Sequence, residues 1–498
     1  MSVESYFPLF VLLTSLLTGI SIFFLKERQS TTRILLNISG SAAMFTLVIV
    51  MLWGVFHGHN YETRWSLLPG IYIALRADSM AILFATLSAF LWFITTIYAI
   101  GYLENTPHRN RFFGFFSLSV SATMGIALAN NLFTFFIFYE MLTLTTYPLV
   151  VHLGTEKALR AGRIYITYTF CGGAVLLIGI IWLYTLTGPF NFIEGGALRR
   201  FGEEKHIALI VIFFLMVLGV GVKSALVPLH GWLPNAMVAP APVSALLHAV
   251  AVVKAGAFGI VRIVYDVYGI RFAEELNVLG PLAVLASVTI IYGSIRALYQ
   301  VNLKRLLAFS TVSQVSYIVL GVAIIGPLAT TGGLVHLIHQ GIMKITLFFC
   351  AGNLSKTLHI HDINQMNGVA RRMPLTMTAF TIASLGMIGV PPLAGFVTKW
   401  YLGIGAVQAN QQWVIAVLAV SSLLNAMYFL PIIYVSWFKK YEENQPEEHI
   451  HRRLETGWTL LLPPLITAFL SLAAGLVAAS NLSPLGWAKL IVRREYLP

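Results

Sequence analysis

Charge is scarce in this chain. Only 10% of its 498 residues are Asp, Glu, Lys or Arg, against roughly a quarter in soluble domains. With 57% hydrophobic residues and a mean hydropathy of +0.79, that deficit excludes a soluble globular enzyme and indicates an integral membrane protein. Cysteine is scarcer still. Cys171 and Cys350 both sit in apolar runs, are too few for an iron–sulfur cluster or a zinc site, and read as small buried hydrophobes. A dinucleotide fingerprint is absent. "GVKS" at 221–224 echoes a phosphate loop but lacks the Gly directly before Lys and a preceding strand. No low-complexity tract or long linker separates soluble domains. No basic stretch precedes the first apolar run and no small-residue cleavage site follows it, so "MSVESYF" leads into a first span rather than a removed leader. The formal net charge of +12 is then loop bias, not affinity for nucleic acid.

What is present is apolar runs. A span takes about 20 apolar residues, and fourteen runs qualify: 6–25, 34–56, 79–101, 111–129, 131–150, 163–187, 207–229, 242–265, 278–298, 304–325, 331–353, 374–404, 411–438 and 457–481. Lys and Arg at the connections and run ends number 18 after odd-numbered runs against 10 in even-numbered loops, the termini and the end of the eighth run, where Arg262 sits. The bias predicts odd-numbered loops in the cytoplasm and both termini on the extracytoplasmic side. The one polar loop of note, 439–456 (KKYEENQPEEHIHRRLET), reads as a solvated, charge-mixed segment.

Of the 32 Lys and Arg, four fall well inside spans rather than at their ends: Lys223, Lys254, Lys344 and Lys399. Among acidic residues only Glu140 lies deep in a run; Asp78, Glu104 and Asp266 sit at run ends. His248, His336 and His339 are also internal. A charge at the bilayer centre costs roughly 3 kcal/mol on insertion scales, and one carboxylate cannot pair with four lysines. Burial disfavours the charged form of a lysine and histidine titrates near neutrality unaided, so Glu, Lys and His together supply the parts of a proton relay. His336, His339 and Gln340 share a helical face, with Lys344 one turn beyond Gln340. The bland alternatives are interhelical tethers, packing histidines and lysines that snorkel to a helix end, a reading that suits Lys344 in particular. His230, Trp232 and Pro234 fit an interfacial loop.

Two runs are interrupted, the seventh near Pro228 and the twelfth at Pro391-Pro392. Proline removes a backbone donor, and a break at membrane depth is tolerated where protein or a water-filled cavity surrounds it. Each break has a lysine beside it, and the two lie five runs apart. That spacing predicts two inverted repeats, spans 4–8 and 9–13, with the functional site at the broken helices.

"ALVPLHGWLPNAMVAPAPVSALLHA", "FFIFYEMLTLTTYPLV" and "IGVPPLAGFVTKWYL" resemble the antiporter-like, proton-translocating membrane subunits shared by respiratory complex I and Mrp-type Na+/H+ antiporters. The resemblance covers about residues 75 to 440. It implies an all-α membrane protein of about fourteen helices, with broken helices 7 and 12. It also implies a division into helices 1–3 (1–110), a first repeat (111–268), a second repeat (278–438), and a cytoplasmic loop with helix 14 (439–498). By the same resemblance Glu140 and Lys223 are a coupled pair, His248 and Lys254 belong to the helix-eight relay, His336 to the helix-eleven connection, and Lys399 is the terminal titrating group. His339, Gln340, Lys344 and His230 are secondary candidates. The helix-eleven pattern departs from that of the family, with Gln340 where a second histidine is expected, so this link would run through His339 or water. An end at Pro498, soon after the last span, favours the shorter, D-type members.

The leading reading is an Mrp-type cation/proton antiporter subunit in the cytoplasmic membrane, working with other membrane subunits. The alternatives are the pumping subunit of a complex I-like NADH:quinone oxidoreductase or membrane-bound hydrogenase, and a membrane partner in inorganic-carbon uptake. No catalytic, metal or cofactor motif is expected in the chain, so any redox chemistry belongs to partners.

Overall fold

A computed structural model describes residues 3–198, 203–440 and 455–496. The chain is an all-α integral membrane protein apart from one small hairpin. In order come α1 (Phe7–Phe23), α2 (Ser30–Phe56), an antiparallel hairpin of β1 (Glu62–Leu68) and β2 (Ile71–Arg76), α3 (Ser79–Tyr102), α4 (Arg109–Leu128), α5 (Leu132–Val150), α6 (Glu156–Thr187) and α7 (His206–Lys223). After short helical turns over 229–238 follow α8 (Ala241–Tyr268), α9 (Leu279–Leu298), α10 (Leu303–Ala323) and α11 (Pro327–Leu358). The chain continues with α12 (Pro374–Ile388), α13 (Ala394–Gln408), α14 (Trp413–Phe438), α15 (Trp458–Leu476) and α16 (Pro484–Tyr496). Twelve of the described helices are long and apolar enough to cross a membrane; α1 and α12 are shorter apolar helices.

Helices dominate because a lipid interior offers no partners to backbone N–H and C=O groups. Their starts are set by polar caps: Asp78 accepts from Ala81 N at 2.7 Å, Asn131 from Thr134 N at 2.7 Å, and Asn302 from Arg305 N at 3.2 Å. Each predicted run holds a helix. The seventh ends at Lys223, six residues short of the expected 229, and the twelfth is two helices separated by 389–393. The hairpin and α16 have no counterpart among the expected runs, and most of the predicted 439–456 loop (441–454) lies outside the described residues.

The bundle has a clear inside. The apolar stretches of α8 and α10 are entirely buried and that of α11 is 94% buried, whereas α2 and α14 are 28% and 33% buried. Three expectations are corrected here. Cys171 is exposed on the outer face of α6. Trp232 is fully buried rather than interfacial. Arg262 and Asp266, placed by the sequence at the end of a run, are buried within α8, because an ion pair there satisfies both.

Glycine lets the inner helices approach. A Cβ at Gly256 of α8 would collide with the Ser224 amide nitrogen just past α7. A Cβ at Gly173 of α6 would collide with the Glu140 carboxylate. Backbone cannot retreat as a flexible side chain can, so Gly256→Ala is expected to destabilise the fold by about 1–3 kcal/mol. The check is the thermal midpoint of the purified complex, which should fall, whereas an outward-facing Gly403→Ala change, which meets nothing within 4 Å, should leave it unchanged.

Candidate functional site

Lys223 is the last residue of α7 and is fully buried. Past it the chain turns through Ala225 (φ +58°), and the freed backbone groups find partners. The Trp232 indole donates to the Val222 carbonyl at 2.7 Å, Leu226 N to the Gly221 carbonyl at 3.0 Å, and Val227 N to the Thr289 hydroxyl of α9 at 3.1 Å. Trp232 is therefore a helix-end cap. The break is satisfied, as irregular backbone inside a membrane protein must be.

The Lys223 ammonium donates to the Tyr139 carbonyl of α5 and lies over the Tyr139 ring, 3.3 Å from its centroid. Cation–π attraction supports that position. Glu140, the next residue, keeps Oε1 buried without a hydrogen bond. No Lys223–Glu140 ion pair within 4.0 Å occurs among the described residues. The two are neighbours, but unpaired in this conformation.

Further in, His248 sits on a π-helical turn of α8. Its ring packs on Phe348, with centroids 4.6 Å apart, and neither ring nitrogen has a protein partner. Lys254 reaches across to α11 and donates to the Leu337 carbonyl at 2.7 Å. On α11, His336 and His339 both contact the Thr398 hydroxyl of α13 through Nδ1, at 3.2 and 3.1 Å. One hydroxyl can donate to one ring while accepting from the other, so a proton can pass between the rings through a single oxygen. Gln340 makes no side-chain hydrogen bond. Lys344 is fully buried and donates to Ser310 and to the Leu307 carbonyl (3.3 Å) of α10, which leaves no room for the snorkelling alternative.

Lys399, next to Thr398, donates to the Ile388 carbonyl at 2.6 Å, to the Met387 carbonyl at 3.4 Å and to the Ser422 hydroxyl at 2.7 Å. These carbonyls end α12, where the helix dipole favours a cation. Asn425 donates to the same Met387 carbonyl at 3.1 Å. Tyr317 of α10 joins the two ends of this group, with its ring 5.3 Å from the His336 ring and 5.6 Å from the Lys399 ammonium. Sequence reading missed Tyr317 and Thr398. Neither carries a charge that would make it stand out in an apolar run.

His230 stands apart, edge-on to Tyr292 at 5.0 Å. A cavity of about 530 Å³ opens among the loops that follow α3, α5, α9 and α11, with His108, His152, His361 and Lys304 in its wall. Burial, then Arg111 and His108, pushes His152 down to about 4, so it is neutral near pH 7.

The fold and these groups define a class: a multi-pass helical membrane protein with ionisable side chains threaded through its least accessible helices. Residues 129–425 match the family described as "NADH:quinone oxidoreductase/Mrp antiporter, TM", and residues 69–113 match "NADH-Ubiquinone oxidoreductase (complex I), chain 5 N-terminus". The chain belongs to this family. It is 34% identical over 473 residues to NADH-quinone oxidoreductase subunit N of Desulforudis audaxviator, covering 92% of each chain. It is 28% identical over 478 residues to the D-type subunit of a Na(+)/H(+) antiporter of Bacillus subtilis, covering 94% of each. It also superposes on a chain of the Mrp complex from Dietzia sp. DQ12-45-1b with a TM-score of 0.85 and 26% identity, over 100% of this chain and 98% of that one.

Thr398→Val removes the oxygen shared by two histidines. Losing both bonds should lower proton flux about tenfold, the equivalent of roughly 1.4 kcal/mol, while Thr398→Ser should retain most of it. Flux into proteoliposomes holding the purified complex is the readout.

Proposed function

We propose that this chain is a proton-translocating subunit of a multisubunit membrane complex, of the Mrp-type monovalent cation (Na+)/proton antiporter kind. The observation that carries the reading is the series of buried and half-buried polar groups that leads from Glu140 on α5 to Lys399 on α13. It runs by way of Lys223, Lys254, the Leu337 carbonyl, His336, His339 and Thr398. In this reading the Lys223 ammonium swings from the Tyr139 carbonyl to the Glu140 carboxylate and back. Paired with Glu140, it holds its proton; parted from it, the buried amine releases the proton inward. His248 and Lys254 pass it on, with water bridging groups that no side chain joins. The Thr398 hydroxyl couples the two histidines, and Lys399 hands the proton to the far half-channel.

The same reading takes the chain as fourteen spans with two inverted repeats, 111–268 and 278–438, flanked by 1–110 and 439–498, and both termini on the extracytoplasmic side. Its support is the pair of interrupted helices, each with a lysine beside the break and each with freed carbonyls capped by a neighbouring side chain. The cavity of about 530 Å³ at the loops after odd-numbered spans would then admit water from the cytoplasm. The partners are other membrane subunits, as in the Mrp complex whose chain this one matches.

A second reading is the pumping subunit of a complex I-like oxidoreductase, favoured by the similarity to an NADH-quinone oxidoreductase subunit N over nearly the whole chain. The subunit composition of the native complex separates the two. Small antiporter subunits support the first, and iron–sulfur and flavin subunits support the second.

Glu140→Ala and Lys399→Ala are each expected to abolish coupled transport in proteoliposomes with the complex still assembled. Lys223→Arg should fail as well, because a guanidinium stays protonated. Wild-type transport in the Arg variant would make Lys223 a fixed charge and end its role as a relay.

A further inference from the structure

A second buried charge cluster lies away from the axis described above. The Arg262 guanidinium of α8 forks onto Asp78, the N-cap of α3, at 2.9 and 3.0 Å, and its Nη1 also donates to Asp266 at 3.0 Å. Nε of the same guanidinium is buried without a partner. A third carboxyl arrives on α16: Glu495 is 5% exposed and accepts from Gly195 N at 2.8 Å. The 188–198 loop closes over the group. Ala197 N donates to the Asp266 carbonyl at 3.0 Å, and the Phe192 ring lies 5.3 Å from the guanidinium.

Three buried carboxyls surround one fixed cation. If all three ionised, Arg262 would leave a double negative charge in low dielectric that Arg76 offsets only in part, at a large desolvation cost. Asp78 takes the fork and the capping N–H of Ala81. Although burial alone would raise it, Arg262 holds its carboxyl below the ordinary range. Among the described residues Glu495 has no such cation of its own, and burial, then Asp266, pushes it well above the ordinary carboxylate range. Among the described residues, the other charged or titratable groups facing the cluster are Arg76 of the hairpin, Glu194 of the covering loop, Tyr265 of α8, and Tyr496 of α16 with Glu274 beside it. Among the described residues these carboxyls do not form a group that could hold a metal ion, which leaves a proton as the ligand.

The cluster is tied to the axis from both sides. Lys254 and Arg262 are two turns apart on α8. Tyr265 donates to the Thr330 hydroxyl of α11 at 2.9 Å, and Thr330 contacts the Tyr496 hydroxyl at 2.8 Å, six residues before His336. The cluster also sits at the opposite end of α3 and α8 from the 530 Å³ cavity, whose wall includes Tyr102 and Pro240. Helix α16 is pinned over it by the Trp487 indole, which donates to the Ser79 carbonyl at 2.8 Å.

We propose that Asp78, Arg262, Asp266 and Glu495 form a proton-exchange site at the membrane face opposite that cavity, with a proton held between Glu495 and Asp266 and α16 as its cover. The inference rests on the proton-translocation reading. Its test is Glu495→Gln in the intact complex, because Gln keeps the acceptor for Gly195 N but cannot ionise. In proteoliposomes the variant should lose about tenfold or more of the proton flux, lose one limb of the pH–flux profile, and lose a protonated-carboxyl band from the infrared spectrum, at unchanged thermal midpoint. Asp266→Asn should change the same limb. Wild-type flux and profile in Glu495→Gln would overturn the site, as would a flux loss that leaves the pH profile in place and lowers the midpoint, which marks a packing role. A dependence of that limb on Na+ concentration would make it a cation site and also overturn the proposal. If the unmodified complex moves no protons, the translocation reading itself fails, and that outcome is separate from all of these.

Discussion

A main-chain carbonyl is the one kind of partner shared by the four lysines of the spans, three of them buried and Lys399 half-buried. Lys223 donates to Tyr139, Lys254 to Leu337, Lys344 to Leu307, and Lys399 to Met387 and Ile388. Each carbonyl belongs to a helix other than the lysine's own, so these bonds also hold α5, α11, α10 and α12 in place. A carbonyl oxygen has two lone pairs and can serve the helix and the lysine together. It accepts from an ammonium or from a neutral amine, whereas a carboxylate partner would fix the lysine in its charged form. Carbonyl solvation thus satisfies a buried lysine without settling its protonation state.

The contrast with Arg262 makes the point. That guanidinium has two carboxylates within 3.0 Å and stays charged. The molecule therefore holds two kinds of buried cation, one locked by ion pairs at an end of α8 and one left free to titrate along its middle. Thr398 and Tyr317 add neutral groups between the titratable ones, where a charge would raise the cost of every proton that passes.

Much of this was legible in the sequence. Hydropathy located every apolar helix because lipid leaves the backbone no alternative to helix. The charge count singled out Lys223, Lys254, Lys344 and Lys399 because nothing in an apolar run excuses a lysine. Charges near run ends were harder to read. Arg262 and Asp266 resembled interfacial residues, and only the fold brings Asp78 from 184 positions away to bury them. Glu495 was out of reach because α16 is amphipathic and short, with no hydropathy signal. Lys223 and Glu140 are neighbours, but the ammonium rests on the carbonyl one residue earlier, a choice of rotamer that no sequence pattern encodes.

The most direct measurement is proton flux through the purified complex carrying Lys254→Met, which keeps an unbranched apolar side chain one atom shorter and removes the ammonium. Lys254 makes the bond that joins α8 to α11 beside His336, so the expected result is an assembled complex in which through-flux is lost. Wild-type flux in that variant would contradict a route along the buried axis.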